Sequence, residues 1–466
     1  MSRISRRRLL QGSALAAAIA GRVPHDRNAL ATPPVVELAR PLPRQCVWQD
    51  CAVGAIFHFD MPLFAPGGRT QKNSIRETWD PAIYNPTKLD TDQWIAAAKA
   101  MGARYAVFTA THFNGFMQWQ SDLYPYGVKQ AAWRGGRGDL VRDFVDSCRR
   151  ADIKPGLYMS CFRNAYWKVD RYRVNYGKGG PDQARFARTC EKMFAELCMR
   201  YGDLIQIWFD AGNLSPAEGG PDLLPIADQY QPNMVFYHSP QRREHRWIGN
   251  EHGHAGYPCW ATLPDLETAE RAHQGKLGNW RQMLEHGDPN GKLWSPGMVD
   301  TTLRDHHWFW YANTEQKIEP VERLVKFYYE SVGRNCNLVL GLTPDPTGLV
   351  PAPDFRRCAE FGTEIRRRLA HPVAETDGSG PVLTLALPGA RTVQHVIIME
   401  DITQGERVRK YLVEGTTDGQ TWHIICDGIS IGHKRIQRFD PTGVAQVRLR
   451  LVESVGEPKI RRFAVL

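Results

Sequence analysis

The sequence predicts an α/β chain, a (β/α)8-like barrel followed by a C-terminal all-β sandwich. Two observations carry this. Between residues 54 and 344 short apolar runs alternate with segments of helical period. After Ala370-His371-Pro372 the helical period stops, and short runs separated by turn signals take over. The first pattern is that of parallel strands covered on both faces by helices. The second is that of antiparallel strands in two packed layers. With 466 residues, 42% of them hydrophobic, the chain can bury a large core and a second, smaller one.

The first segment, residues 1–31, stands apart from both. Ser5-Arg6-Arg7-Arg8-Leu9-Leu10 fits the twin-arginine pattern, an Ala-rich stretch follows, and Ala29-Leu30-Ala31 is a small-x-small cleavage site. The apolar part is too short to span a bilayer. It reads as a bacterial export signal, which implies a periplasmic or secreted protein without membrane attachment once the signal is removed. Removing its six arginines and one aspartate takes the net charge from +9 to +4. The remaining Lys and Arg are interspersed with Asp and Glu, not gathered into the stripe that nucleic-acid binding requires. The ten cysteines include no CxxC pair, which argues against a zinc knuckle or a thioredoxin-like site. An oxidising compartment would permit pairs such as Cys46 with Cys51. Cys148, Cys190 and Cys198 instead fall at apolar helical positions, as small core residues do.

The barrel is expected within residues 32–370. Its strands are GAIFHFD (54–60), RYAVFTATH (104–112), KPGLYMS (154–160), LIQIWFDA (204–211), NMVFYHS (233–239) and NLVLGL (337–342). The stretches around WIGNE (247–251) and KLWSPGMVD (292–300) supply two more. Leu140, Val141, Phe144, Val145 and Cys148 mark one helix, with Asp139 as its N-cap. Phe186, Cys190, Met193, Phe194 and Leu197 mark another; Val321, Leu324, Val325 and Tyr328 a third; a last helix covers about 354–369. The sandwich is expected at 371–466, from runs at 382–387, 395–400, 411–416, 422–427 and 447–452, with an Asp-Gly turn at 418–419. It would buttress the barrel or bind carbohydrate. The absence of an aromatic platform favours the first.

In a parallel barrel the functional groups sit where strands end at the C-terminal face. Those ends carry His58, His112, Tyr158, Asp210, His238 and Glu251, beside Phe59, Phe113, Trp119 and Trp208. Two carboxylates among His, Tyr and Trp suit glycoside cleavage: one attacks or stabilises the oxocarbenium-like carbon, the other protonates the leaving oxygen. No cofactor is implied. Glu251-His252-Gly253-His254 mimics a metal cluster, but its spacing is not that of a helical HExxH pair, so no metal is expected. Gly428-Ile429-Ser430-Ile431-Gly432 matches GxSxG, yet it lies among strands and not at a strand-to-helix elbow, and reads as a chance match.

From about residue 44 to the C-terminus the chain resembles glycoside hydrolase family 29, the α-L-fucosidases. The resemblance runs through PRQCVWQDCAVGAIFHFDMPLF, NPTKLDTDQWIAAAKAMGARYAVFTATHFNGFMQW and SDLYPYGVKQAAWRGGRGDLVRDFVDSCRRADIKPGLYMS. It continues in WFWYANTEQ, SVGRNCNLVLGLTP and GISIGHKRIQRF. It implies a retaining exo-α-L-glycosidase acting on an oligosaccharide or glycoconjugate. The nucleophile would be Asp210, in Trp208-Phe209-Asp210, with Ala211 where the family has Gly. The acid/base would be Glu251, in the Gly249-Asn250-Glu251 motif of the branch that accepts 1,3/1,4 linkages. His58, His112 and Tyr158 would orient the sugar.

The chain also departs from the family. Residues 111–116 read Thr-His-Phe-Asn-Gly-Phe, so Phe113 replaces a second histidine and Asn114 an aspartate. Met298, in Pro-Gly-Met-Val-Asp, stands where a carboxylate is usual, and Glu77-Thr78-Trp79 only loosely echoes a Glu-Trp pair. Phe113, Asn114, Met298 and Trp79 are thus expected in the pocket. So are Trp119, Trp208 and Trp310, each of which could equally be core. Three functions follow: fucoside hydrolysis, the same chemistry on a different sugar such as an α-L-galactoside or another 6-modified glycoside, or carbohydrate binding without catalysis.

Overall fold

The computed structural model describes residues 37–66 and 77–466. The export signal read from residues 1–31 lies outside them. Among the described residues no helix is long and apolar enough to cross a membrane.

Eight parallel strands build the barrel. They are β1 (Val53–Phe57), β2 (Tyr105–Thr111), β3 (Lys154–Met159), β4 (Gln206–Trp208), β5 (Val235–Tyr237), β6 (Arg246–Trp247), β7 (Gly297–Thr302) and β8 (Cys336–Leu342). Their order is β5-β4-β3-β2-β1-β8-β7-β6, so β1 closes against β8 and the ladder is open between β5 and β6. Ala55 lies opposite Leu340 on one side and Ala106 on the other. Every residue of β1, β2, β7 and β8 is buried, as expected of strands covered on both faces.

The helices follow their apolar stripes. They are α1 (Pro43–Cys51), α2 (Thr91–Ala100), α3 (Leu140–Arg150), α4 (Gln183–Arg200), α5 (Leu224–Tyr230), α6 (Leu266–His273), α7 (Trp280–His286), α8 (Val321–Ser331) and α9 (Ala352–Leu369). On α3 the Asp139 carboxylate accepts the Arg142 N–H at 2.8 Å, satisfying an amide that has no intrahelical partner. The same helix buries Leu140, Val141, Phe144, Val145 and Cys148. All ten cysteines are free thiols. Cys46 and Cys51 lie on one helix, α1, and are unbridged.

The stretch 292–300 holds less strand than its composition suggests. Leu293 and Trp294 leave the barrel to pair antiparallel with Leu263 and Thr262. Pro296, which has no N–H to give a ladder, separates them from β7. At Gly297 a Cβ would sit 2.5 Å from the Cys336 sulfur, so the β7–β8 approach needs glycine.

Beyond α9 six strands follow: β9 (Ala374–Ser379), β10 (Val382–Glu400), β11 (Val408–Thr416), β12 (His423–Gly428), β13 (Arg435–Ser454) and β14 (Lys459–Val465). They form one continuous antiparallel sheet in the order β9-β14-β10-β13-β11-β12. The runs 382–387 and 395–400 belong to one strand, β10, whose register against β13 breaks between Ala386 and Arg391 and again between Val393 and His395. Such breaks bend long strands, and a single core draws on both arms, from Leu385 and Leu449 to Ile398 and Phe463. The opposite face of β10, at Ile397 and Met399, packs with Ile436 and Ala464 against Tyr328, Tyr329 and Ile365 of the barrel helices. Asn335, just before β8, ties the seam further. Its amide nitrogen donates to Glu406, and its oxygen accepts the His433 N–H at 2.7 Å.

A buried ion pair joins the end of β7 to α9. The fully buried Arg304 guanidinium donates through Nε to both Asp354 oxygens, at 3.1 and 3.0 Å, and through Nη1 to Thr314 at 2.8 Å. Arg304→Ala strands a buried carboxylate and should cost about 3–5 kcal/mol. Chemical denaturation of that variant beside an Arg304→Met/Asp354→Leu double variant checks this, the double variant being expected to lose far less.

Candidate active site

The ends of the barrel strands converge on one cavity of about 260 Å³, lined by Ile56, His58, His112, Tyr158, Trp208, Asp210, Glu251, Asp300, His306 and Trp308. Topology sets this list. A parallel barrel presents every strand's C-terminal end at the same rim. His58 follows β1, His112 follows β2, Tyr158 is the penultimate residue of β3, and Asp210 lies two past β4. Glu251 sits in the loop after β6, Asp300 within β7, and His306 and Trp308 in the loop after β7.

Asp210 is half-buried, and the Tyr158 hydroxyl donates to its Oδ2 at 3.0 Å. Burial pushes its carboxyl up to about 6; the tyrosine hydrogen bond opposes this and the charge of Glu251 adds to it. The chain then turns sharply, with Ala211 at φ 57° and Gly212 at φ 80°. Ala211 thus adopts the left-handed conformation that favours the glycine the family pattern has there. Across the cavity Glu251 Oε2 accepts the Trp308 indole N–H at 3.0 Å.

Burial favours the neutral form of His58 and His112. Burial lowers His58 to about 3, and burial, with His58 and Arg163 nearby, holds His112 well below the usual imidazole range. The His112 ring stacks on Tyr158 at 5.2 Å and meets His58 edge-on at 5.4 Å, while Phe309 stands edge-on to both. This wall offers neutral donors and acceptors backed by apolar rings, a surface suited to hydroxyl groups.

Six of the residues expected at the site therefore meet: His58, His112, Tyr158, Trp208, Asp210 and Glu251. The others lie off the lining. Trp119 is fully buried in the core, its indole donating to Glu196 at 2.7 Å. Asn114 is buried behind the wall, where its oxygen accepts the Phe116 N–H at 2.6 Å and its nitrogen donates to Asp60. Met298 points into the barrel interior among Trp48, Ile56, Val339 and Trp208. Trp79 packs half-buried against the main core. Trp310 is half-buried two residues beyond Trp308, the tryptophan that does line the cavity. Phe113 lies against His112 at 4.3 Å and under the Arg163 guanidinium at 5.3 Å, behind the lining. His238 is buried against Gly212 and also stays off the lining.

Sequence reasoning missed Asp300, His306 and Trp308. For Asp300 a signal existed: it is two residues beyond Met298 on one strand, so it shares that face nearer the rim. Elsewhere, Ser430 of the GxSxG match is buried at the seam, its carbonyl accepting from the Tyr257 hydroxyl at 3.3 Å. A larger surface cleft of about 440 Å³ borders α8, but its charges pair among themselves, Arg368 with Glu322 and Arg334 with Glu330.

A barrel-rim cavity the size of one sugar, walled by aromatics and holding facing carboxyls, defines a glycoside hydrolase. Residues 78–367 match the family model described as Alpha-L-fucosidase, and the chain belongs to the α-L-fucosidases of glycoside hydrolase family 29. Alpha-L-fucosidase 1 of Arabidopsis thaliana is 28% identical over 86% of this chain and 82% of its own. A Bacteroides thetaiotaomicron crystal structure named "putative alpha-L-fucosidase" is 44% identical, covers 92% of this chain and 99% of its own, and superposes with a TM-score of 0.88. A glycoside hydrolase 29 member from an unknown rumen bacterium is 28% identical over 92% of this chain and 77% of its own, with a TM-score of 0.75.

Tyr158→Phe removes a donor that favours the ionised form of Asp210. The carboxyl should then rise above about 6, and the acid limb of the pH–activity profile should move to higher pH with it. An unmoved limb would assign that limb to another group.

Proposed function

We propose that this enzyme releases terminal L-fucose from glycans by double displacement. Asp210 attacks the anomeric carbon while Glu251 gives its proton to the departing glycosidic oxygen. Glu251 then takes a proton from water, and that water displaces Asp210 with net retention. His58, His112 and Tyr158 hold the sugar and the nucleophile. The observation that carries the reading is the placing of Asp210 and Glu251 in one single-sugar cavity, each with a hydrogen-bond donor, Tyr158 and Trp308, fixing one oxygen.

Phe113 favours a second reading within the same chemistry. An apolar ring packs on His112 where the family has a histidine, and through that wall residue the preferred sugar would differ from fucose around one hydroxyl, as an α-L-galactoside or another 6-modified glycoside does. A site that loses a donor discriminates differently among hydroxyl patterns. An aryl glycoside panel separates the two, since fucoside hydrolysis far below that of another member would favour the second. The domain limits at 31 and 370, the preference for 1,3/1,4 linkages and twin-arginine export to the periplasm or medium are part of the same proposal. Sequencing of the mature N-terminus tests the export reading, a start at Thr32 being the expected result.

Asp210→Ala should lower turnover of an aryl fucoside by about 10³-fold or more. Azide or formate, small enough to occupy the vacated space, should restore part of it. A variant of undiminished activity would end the assignment.

A further inference from the structure

Asp300 is the third carboxyl of the cavity. It is 4% exposed and lies inside β7 on the row that begins at Met298. Its Oδ1 accepts the Trp247 indole N–H at 2.9 Å. Its other oxygen has no such anchor and belongs to a residue that lines the sugar cavity with Asp210 and Glu251.

The surroundings favour an uncharged Asp300. Burial raises its carboxyl well above the usual carboxylate range, the charges of Glu251 and Asp210 add to this, and the hydrogen bonds from Trp247 and from its own backbone N–H oppose them only in part. The Tyr105 and Tyr237 hydroxyls, from β2 and β5, also lie within its field, and Asp300 raises both; His306, from the loop after β7, lines the same cavity. Burial lowers the His58 imidazole in the same cavity to about 3, which favours its neutral form. A carboxylic acid whose first oxygen is held by an indole keeps its O–H on the second.

We propose that Asp300 is a substrate-binding residue of this cavity, its free oxygen carrying a proton and donating a hydrogen bond to a hydroxyl oxygen of the bound sugar. The proposal rests on the cavity being the sugar site.

The test compares Asp300→Asn with Asp300→Ala on 4-nitrophenyl α-L-fucoside. Asn presents an N–H donor in place of the O–H and should keep kcat/KM within about threefold, whereas Ala should lose about 10- to 100-fold. The loss should fall chiefly in KM, because the contact exists before the transition state. Asp300→Asn as impaired as Asp300→Ala would mean that the ionised form is the one used, and would overturn the proposal. So would Asp300→Ala that loses only thermal stability, which leaves Asp300 as a mere anchor for Trp247. An infrared difference spectrum, wild type against Asp300→Asn at neutral pH, should contain the carbonyl band of a protonated carboxylic acid, and L-fucose should shift it. No band, or a band unmoved by the sugar, overturns the proposal. If the wild type hydrolyses no fucoside, the functional reading fails on its own, and the band's response to the sugar of whichever glycoside is hydrolysed decides the role of Asp300.

Discussion

Like charges crowded into one partly dehydrated cavity are the constraint on which this site depends. Asp210, Glu251 and Asp300 line the same small space. Carboxylates that share a site cannot all ionise at ordinary pH. The structure separates them by environment. Asp210, half-buried with a tyrosine hydroxyl on one oxygen, is the least penalised of the two whose carboxyls are raised; Asp300, inside a strand, is pushed furthest from ionisation. Two carboxyls of unequal tendency to ionise then share one cavity. The neutrality of His58 and His112 belongs to the same economy of charge, since a protonated imidazole beside Asp210 would hold that carboxylate in an ion pair.

The barrel makes the crowding affordable. Beneath the cavity the interior is filled by Ile56, Val107, Tyr158, Trp208, Met298 and Val339, a layer that excludes water and fixes the direction of the strand ends above it. Indole donors then orient the two carboxyls not held by tyrosine, Trp308 on Glu251 and Trp247 on Asp300. Both tryptophans pack at the border of that interior layer. Side chains that position the chemistry are therefore themselves held by the core, as precise sites require. The C-terminal sheet takes part at one remove. It covers α8 and α9 and, through Asn335, meets the chain one residue before β8, the strand that flanks both β1 and β7.

Much of this was legible because burial in a parallel sheet leaves long apolar runs. β1, β2, β3, β4 and β8 lie in such runs, and His58, His112 and Asp210 stand out as polar residues that end β1, β2 and β4. Where the run is short or mixed the signal fades. β6 is two residues, one of them Arg246, whose buried guanidinium donates to the Leu284 and Ser295 carbonyls. The sequence places a strand around 247–251, and the ladder found is shorter and begins one residue earlier, at Arg246. β7 reads Gly-Met-Val-Asp-Thr-Thr, and its inward carboxyl, Asp300, is betrayed only by the two-residue step from Met298. The tryptophans mark a different limit. Trp119 and Trp208 have the same chemistry and similar settings, yet one is core and the other pocket wall, and only the placement of α4, which carries Glu196 to Trp119, decides it.

The departures from the family pattern divide on the same physical ground. Asn114 lies out of the cavity's reach, where its amide bridges the Phe116 backbone and the buried Asp60. Burial raises Asp60 to about 7. A second buried carboxylate at position 114 would repel it, whereas an amide donates to it, so Asn114 is a consequence of Asp60 and carries no information about the sugar. Met298 is likewise a packing residue, filling the barrel where a charge would be costly without a partner. That leaves Phe113. It packs on a histidine that lines the cavity, His112, and it replaces a polar ring by an apolar one. A shift in sugar preference by way of Phe113 would therefore act through the His112 ring on which it packs.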